Sequence, residues 1–440
     1  MSNRKKNIFI ILIMIIVVAV AATVIFFVHL GKKGINPFEQ NETTGIAYES
    51  TTPTTTEELQ SSEEESEEET QGNTKEQTNE QTEPETQIPD EPIISETDRI
   101  IANMTLEQKV CQMFIIAPEN LMDKWNITVA DDEMKNRLKN YPVGGFIFFN
   151  ANVVNPTQIK TMINNLQTYS NEYCGLPFFT AIDEEGGRVL RIGNNPNFPV
   201  TKVGAMGAMT TSDEAYEAGN IIGEYLKEYG FNFNFAPDAD VITNSDNKVI
   251  GDRSFGNNAD FVTDCAIAYS NGLHEHGVLS TFKHFPGHGA TKGDTHEGFA
   301  YTDKTYNELM DEELLPFVSA RENGVDAIMV AHISVPSILG DETPCTMSEY
   351  MVTQILRKEL RFEGLIVTDA LDMGAITQKY TDAEAAVLAI KAGNDILLKP
   401  KNFYNAYEGV INAVNNGEIS EERIDESVRR IISVKLSFKK

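Results

Sequence analysis

Eight short apolar runs alternate with amphipathic helical patterns from Ile93 onward, and this alternation limits the possible folds more than any other feature of the chain. Such runs are typical of buried strands in a parallel sheet that helices cover on the outside. Eight strand–helix units are the number that closes a (β/α)8 barrel. We therefore predict an α/β fold with a single (β/α)8 TIM-type barrel, with an open doubly wound sheet as the alternative. The predicted strands are Met113–Ala117, Gly145–Phe149, Leu176–Ile182, Phe231–Phe235, Val278–Phe282, Ala327–Ala331, Leu365–Thr368 and Asp395–Leu398.

Polar side chains follow most of these predicted strands directly. In a barrel the strand ends converge on one mouth, where the active sites of this fold lie. An open sheet would instead place its conspicuous polar residues around one crevice. The strand-end residues are Asp183, Glu184, Glu185 and Arg188 after the third strand, Asp238, Asp240 and Arg253 after the fourth, Lys283, His284, Asp294 and His296 after the fifth, His332 after the sixth and Asp369 after the seventh. Their distribution predicts one active site at the mouth of the barrel.

The densest group of polar residues lies on the segment from Lys283 to His296, after the fifth predicted strand. Gly287, Gly289 and Gly293 allow sharp turns and a close approach of the backbone to a ligand. Packing alone does not explain lysine, histidine and aspartate side chains placed this densely between glycines. We therefore predict a functional site on this segment.

The chain lacks the short motifs of several common enzyme classes. It has no Gly-x-Ser-x-Gly elbow, no Walker loop and no dinucleotide-binding glycine fingerprint in a first βα unit. Carboxylates, histidines and a basic Arg/Lys pair are expected to converge instead. That set suits the binding of a polyhydroxylated ligand and proton transfer at an acetal, and glycoside hydrolysis needs two such groups on opposite sides of the scissile bond.

Five motifs occur in a characteristic order along the chain. They are Ile182–Val189, Asn234–Pro237, Ile250–Phe255, Lys283–Gly289 followed by Asp294-Thr295-His296, and Val367–Leu371. Together they resemble glycoside hydrolase family 3, and the Asp-Thr-His loop is similar to that of its β-N-acetylhexosaminidase (NagZ-like) branch. The resemblance covers residues 98 to about 436.

The resemblance implies a role for each matching residue. Asp369 matches the catalytic nucleophile, which forms a glycosyl-enzyme intermediate. His296 matches the general acid/base of this branch, and Asp294 matches its partner in an Asp–His dyad. The substrate-binding residues implied in the same way are Asp183, Arg188, Arg253, Lys283 and His284, and His332 is expected to stabilise the mouth or to contact the sugar. A histidine suits acid/base work because its unperturbed pKa of about 6.5 lies near working pH.

The resemblance further implies a retaining, exo-acting β-N-acetylhexosaminidase that removes terminal non-reducing β-linked N-acetylglucosamine from cell-wall (peptidoglycan) fragments. Three alternatives stay open: a β-glucosidase-type enzyme, a phosphorolytic enzyme that uses phosphate as acceptor, and a surface sugar-binding protein without catalysis. Many family β-glucosidases carry a second α/β domain with a glutamate acid/base. We expect no such domain here, because the chain ends at Lys440.

The residues before the predicted barrel differ from it in composition. Ile8 to Val28 is uncharged and long enough to span a bilayer as a helix, with basic residues on both sides. Gly34 to Pro92 carries seventeen acidic residues and one lysine, which predicts disorder. We therefore predict a membrane anchor at 1–33, a disordered acidic linker at 34–92 and a catalytic barrel at 93–440, held at the cell membrane by a single pass and facing outside the cytoplasm. A cleaved signal peptide is the alternative to an anchor.

Charge and cysteine usage limit the partners of the chain. The net charge is −30, of which −19 falls on residues 93–440, and this acidity argues against nucleic acid as a partner. Cys111, Cys174, Cys265 and Cys345 are scattered without metal-ligand spacing. We expect free thiols, no metal, no cofactor, a small glycan as substrate and a monomer.

Overall fold

The computed structural model of the protein describes residues 95–438, and eight β-strands occur there in alternation with helices. The strands are β1 (Phe114–Ile116), β2 (Gly145–Phe148), β3 (Phe179–Ile182), β4 (Phe233–Asn234), β5 (Thr281–Phe285), β6 (Ala327–Val330), β7 (Leu365–Thr368) and β8 (Leu397–Leu398). Seven lie within their predicted ranges, and β5 is displaced by three residues. Every residue of these strands is buried, as parallel strands covered by helices require.

The strands form two parallel sheets, so the predicted single (β/α)8 TIM-type barrel is wrong. One sheet has five strands in the order β4-β3-β2-β1-β8, and the other has three in the order β5-β6-β7. Isolated bridges join them, among which Phe233 pairs with Leu279 and Val367 pairs with Ile396. The physical reason is length: β4 and β8, the edge strands of the larger sheet, contain two residues each, too few for a continuous ladder with the smaller sheet.

The helices follow the predicted alternation, and several begin at recognisable caps. Thr105 and Thr381 each form a capping box with the Gln or Glu three residues later. Gly230, in the left-handed region at φ 93°, ends the helix before β4. The α-helices are Glu96–Ala102, Leu106–Gln112, Pro118–Met122, Asp132–Asn140, Pro156–Cys174, Ser212–Tyr229, Ala259–His274, Tyr306–Asp311, Leu315–Ala320, Pro336–Leu339, Gly374–Thr377, Asp382–Ala392, Phe403–Asn415 and Glu421–Ser437. Tyr350–Glu359 is a π-helix, and the 3-10 turns are Met206–Ala208, Gly251–Arg253, His288–Ala290 and Cys345–Met347.

One continuous helical pattern in the sequence is interrupted in the structure. The pattern from Tyr306 to Asn323 forms two helices, Tyr306–Asp311 and Leu315–Ala320. Pro316 lacks the N–H that would continue the first helix, and proline is favoured in the first turn of a new one. The break also lets the Glu313 side chain turn inward, where it accepts hydrogen bonds from Thr243 and Lys304.

The predicted anchor at Ile8–Val28 and the predicted acidic linker at 34–92 lie outside the described residues. Across residues 95–438, no helix combines the length and the apolar character needed to cross a bilayer. The predicted domain boundary at residue 93 therefore stays a prediction.

Candidate active site

A cavity of about 660 Å³ opens where the carboxyl ends of the strands meet. The structure brings eight of the nine predicted site residues to its wall: Asp183, Arg188, Arg253, Lys283, His284, Asp294, His296 and Asp369. These residues come from segments after β3, β4 and β7 and from β5 with the loop that follows it. Residues separated by almost two hundred positions in the chain therefore share one cavity.

The floor of the cavity is a buried cluster of opposite charges. Lys283 Nζ lies 2.7 Å from Glu185 Oε1 and 3.0 Å from Asp183 Oδ1. Arg253 donates from Nε and Nη2 to the two oxygens of Glu185, each at 2.8 Å. Burial would raise the pKa of Glu185, but the positive charges of Arg253 and Lys283 outweigh it and hold that pKa well below its usual range. Glu185 is therefore an anion that fixes both cations.

Glu185 has no role in the sequence prediction, although it stands in the motif after the third strand. Its neighbour Glu184 is also buried, and it accepts hydrogen bonds from the backbone N–H groups of Ile192 and Gly193 and from the Tyr225 hydroxyl. Glu184 thus holds the turn after β3 in place. The sequence signal for both was present as two consecutive glutamates at a strand end.

His284 is held in the same cluster by both ring nitrogens. Its Nε2 lies 3.2 Å from Arg253 Nη2, which has only protons to donate, so Nε2 is the acceptor. Nδ1 therefore carries the proton and donates to Asp240 Oδ2 at 2.7 Å. Burial and the Arg253 charge lower the pKa of His284 to about 4, so the ring is neutral at pH 7. Burial and the nearby Asp240 carboxylate raise the pKa of Asp238 to about 7.

Asp238, Asp240 and His284 are also the residues best placed to hold a metal, because their donor atoms all lie within 4.8 Å of one another. The Arg253 guanidinium already supplies positive charge to this group, at 3.5 Å from Asp238 Oδ2 and 3.2 Å from His284 Nε2. A cation at this position would compete with the Arg253 guanidinium for Asp238 and His284. The donor set therefore fits the observed charge network better than it fits a metal.

Asp369 follows β7 and is partly exposed to the cavity. Its backbone N–H donates to the carbonyl of Val330 in β6, so sheet pairing fixes its position. Burial would raise the pKa of the Asp369 carboxyl, but His332, His284 and the N–H of Ala370 outweigh it and lower the pKa below its usual value. The carboxylate is therefore ionised and available as a nucleophile.

His332 is the one predicted site residue that does not line the cavity. Its ring is buried, with Nδ1 2.8 Å from Thr346 Oγ1 and Nε2 donating to the carbonyl of Ala370 at 3.0 Å. This geometry corresponds to stabilisation of the mouth, and not to a sugar contact. His332 fixes the residue next to Asp369 from behind the cavity wall.

The Asp294–His296 pair forms a short, local dyad. Asp294 Oδ1 accepts from both Nδ1 and the backbone N–H of His296, each at 2.9 Å. Burial would raise the pKa of Asp294, but these hydrogen bonds outweigh it and lower the pKa. Because Nδ1 is engaged, Nε2 of the exposed His296 ring is the nitrogen free to exchange a proton in the cavity. The backbone N–H groups of Gly374 and Ala375 donate to the carbonyls of His296 and Thr295, so the dyad rests on the segment that follows Asp369.

The cavity wall also contains groups that the sequence prediction missed. Lys399 pairs with Asp372 and lies 5.1 Å from the centre of the Phe149 ring. Arg191 faces the same ring at 5.8 Å and lies 3.3 Å from Asp183 Oδ2. Lys399 directly follows β8, so applying the strand-end rule to the eighth strand would have found it. Phe149 is apolar and lies inside the predicted second strand, so that rule could not have found it.

Arg188 reaches the cavity wall, but its guanidinium has other partners. Nη2 donates to the carbonyls of Val249 and Ile250 at 2.7 and 2.8 Å, and Nε lies 3.1 Å from Asp252 Oδ1. Arg188 therefore fixes the segment after β4. Its predicted contact with the sugar stays a prediction.

Comparison with known proteins agrees with the resemblance found in the sequence. The family model for the glycosyl hydrolase family 3 N terminal domain matches residues 105–434. Beta-hexosaminidase A of Pseudoalteromonas piscicida is 35% identical over 335 residues, which cover 70% of this chain and 56% of that protein. The Beta-hexosaminidase of Idiomarina loihiensis is 34% identical over 270 residues, which cover 60% of this chain and 79% of that protein.

A solved structure is similar over the same region. The glycoside hydrolase family 3 beta-N-acetylglucosaminidase from Paenibacillus sp. str. FPU-7 superimposes with a TM-score of 0.71 at 37% identity, covering 76% of this chain and 62% of that chain. This chain thus spans less than two thirds of that protein and of the Pseudoalteromonas protein. The family model nevertheless matches most of the chain, and the family's motif residues meet at one cavity: this protein belongs to glycosyl hydrolase family 3.

Proposed function

We propose that the protein is a retaining, exo-acting β-N-acetylhexosaminidase that hydrolyses terminal non-reducing β-linked N-acetylglucosamine, with peptidoglycan fragments as its substrates. The observation that carries the proposal is that the ionised Asp369 carboxylate and the Asp294–His296 dyad line the same cavity. A retaining glycosidase needs a nucleophile and a proton donor at one glycosidic bond. The names of the similar proteins support the N-acetylhexosamine preference.

In the first step Asp369 attacks the anomeric carbon, and the bond from that carbon to the leaving oxygen breaks. His296 donates its Nε2 proton to that oxygen, and Asp294 stabilises the ring orientation through Nδ1. In the second step the neutral His296 removes a proton from water, which attacks the same carbon and releases Asp369. Two inversions at one carbon give net retention of configuration.

The charged floor supports exo action. Asp183 and Lys283 present a carboxylate and an ammonium group at the closed end of the cavity, where hydroxyl groups of a terminal sugar find hydrogen-bond partners. Glu185 is buried and pairs with both Lys283 and Arg253 on this side of the cavity, and we expect this charged cluster to block a longer glycan. A cavity of about 660 Å³ lies within the range of small-ligand sites.

The test is the turnover of 4-nitrophenyl β-N-acetylglucosaminide and chitobiose by the purified protein. Asp369→Asn and His296→Gln are each expected to lower kcat by about 10³-fold or more, because each removes a group that reacts. Asp311→Asn, at an exposed helix end, serves as the matched control. Wild-type-like rates in either active-site variant would contradict these roles. Sugar binding without turnover would favour the non-catalytic alternative, and release of sugar 1-phosphate would favour phosphorolysis.

We also propose that the protein acts at the cell membrane, outside the cytoplasm, as a monomer. Support comes from the uncharged run Ile8–Val28 and the basic residues that flank it. Fractionation of cells should recover the full chain with membranes, and protease added outside should remove the catalytic region. Recovery of the full chain in the cytoplasmic fraction would contradict this location.

Light scattering should give a mass of 48.9 kDa for a monomer.

A further inference from the structure

The cations that line the active-site cavity are not equivalent, because all but one are paired with carboxylates. The paired ones are Arg188 with Asp252, Arg191 with Asp183, Arg253 with Glu185, Lys283 with Asp183 and Glu185, and Lys399 with Asp372. Lys248 is the exception: its Nζ contacts the carbonyl of Ser245 at 3.3 Å, and no carboxylate within residues 95–438 lies within 4.0 Å of it. Among residues 95–438, Lys248 is therefore the one cationic side chain of the cavity wall that has no carboxylate partner.

The backbone at Lys248 is fixed beside the catalytic dyad. Asn244 and Asn247 donate from Nδ2 to the carbonyls of Thr291 and His288, at 2.8 and 2.7 Å. These carbonyls lie on the loop that leads to Asp294 and His296. From the other side, Arg188 donates to the carbonyl of Val249 at 2.7 Å. The main chain is thus held on both sides, while the Lys248 side chain is exposed and lines the cavity.

Two of the carboxylates that line the same cavity are engaged with other partners. Asp294 is hydrogen-bonded by His296, and Asp372 is paired with Lys399. A residue beside the dyad meets the leaving group, because His296 protonates the leaving oxygen in the proposed function. We propose that Lys248 binds a carboxylate on the departing sugar and so makes the enzyme prefer anionic leaving groups. This inference rests on the proposed function and adds a specificity-determining residue to it.

The test uses two substrates, one with a charged group and one in which that group is neutral: N-acetylglucosaminyl-β-1,4-N-acetylmuramic acid and the methyl ester of its carboxylate. An exposed ion pair contributes up to about 1 kcal/mol, so the wild type should prefer the acid by about fivefold in kcat/KM. Lys248→Ala should abolish the preference, and Lys248→Glu should reverse it. Lys202→Ala, an exposed lysine outside the cavity, should retain the preference. Added 0.5 M NaCl should weaken it, because salt screens exposed charges.

Three results would overturn the assignment. The first is a wild type that does not distinguish acid from ester, and the second is a preference that survives in Lys248→Ala. The third is phosphate-dependent formation of sugar 1-phosphate by the wild type and by Lys202→Ala but not by Lys248→Ala. The lysine would then bind the phosphate acceptor and not a carboxylate on the leaving group. An equal loss on acid and ester in Lys248→Ala leaves the preference intact, so it is a case of the second result and indicates a structural role. Absence of turnover on every substrate, including the 4-nitrophenyl glycoside, would instead refute the proposed function itself.

Discussion

Glu185→Gln tests whether the buried charge cluster positions Arg253 and Lys283, the cations that we propose bind the sugar. The Glu185 side chain is 1% exposed and accepts three hydrogen bonds, two from Arg253 and one from Lys283. Glutamine has nearly the same shape but no charge, and one of its terminal atoms donates instead of accepting. A donor then faces Arg253 in either orientation of the amide, and Lys283 as well when it replaces Oε1. Both cations also lose their shared counter-ion.

The expected cost follows from the burial of the cluster. Removing one member of a buried ion pair destabilises a protein by about 3–5 kcal/mol, because the remaining charge is left uncompensated. Asp183 and Asp238 still lie near Lys283 and Arg253, so we expect the lower end, about 3 kcal/mol. Displacement of a positioning group by about 1 Å can lower turnover about 10²-fold, and we expect a loss of this size in kcat/KM.

The loss of stability in Glu185→Gln should depend on pH in a definite direction. The pKa of Glu185 in the folded protein lies below its ordinary value of 4.5, so its stabilising contribution is complete above that value and is lost as the pH falls towards the folded pKa. The difference in unfolding free energy between wild type and Glu185→Gln should therefore be constant from about pH 6 to 8 and shrink below about pH 4.5.

The assay is urea denaturation across this pH range, together with kcat/KM on the 4-nitrophenyl glycoside. Glu228→Gln is the control, because Glu228 pairs with Lys160 at a similar distance, 2.9 Å, but its side chain is 58% exposed. That variant should lose less than about 0.5 kcal/mol. A loss below about 1 kcal/mol in Glu185→Gln at pH 7, or a difference that grows towards pH 4, would refute the reasoning.

Two further predictions concern Gly289, at the base of the loop that carries Asp294 and His296, and the buried Lys435. A Cβ on Gly289 would lie 2.1 Å from a carbonyl oxygen of the segment after β4. Gly289→Ala should therefore displace the loop that carries Asp294 and His296 and lower kcat at least about tenfold. Gly204→Ala is the control, because its Cβ meets open space, and it should keep wild-type kcat. Burial lowers the pKa of Lys435 from its ordinary value of 10.5 to about 7. Between these two pH values the unfolded chain therefore binds more protons than the folded protein. Thermal stability should therefore rise from pH 7 to about 9.5, and Lys435→Met should abolish this rise; a rise that persists in the variant would contradict it.

Strand positions were predictable wherever burial alone specifies the residue type. Continuous apolar runs such as Leu365–Thr368 have few alternatives to a buried strand, and β7 has the predicted bounds. The end of β5 was not predictable, because Lys283 and His284 lie inside the strand and are polar. Their burial depends on Glu185 and Asp240, which come from distant parts of the chain, and no local pattern reports such partners.

The candidate site also contains features that the sequence could predict and features that it could not. Motif residues could be assigned to one cavity because strand ends in a parallel sheet share an edge. The separation of His332 from that cavity depends on its partners Thr346 and Ala370, which only the folded structure reveals. The free charge of Lys248 was equally hidden, since the sequence does not show which lysines have carboxylate partners. Pairing of charges over long sequence distances is thus the part that sequence reasoning could not supply.

One of the two breaks between the sheets, the one between β4 and β5, falls at strand ends that supply the charged cluster. Asp238 and Lys283 form an isolated bridge, and the N–H of Ala239 donates to the carbonyl of Lys283 at 2.6 Å, but no ladder continues from there. Their buried side chains need charged or polar partners, which Arg253 and Glu185 provide across the cavity. Side-chain pairing thus takes over at this junction where main-chain pairing stops. We therefore infer that the charge cluster both builds the sugar site and joins the sheets, and that Glu185→Gln should weaken site and fold together.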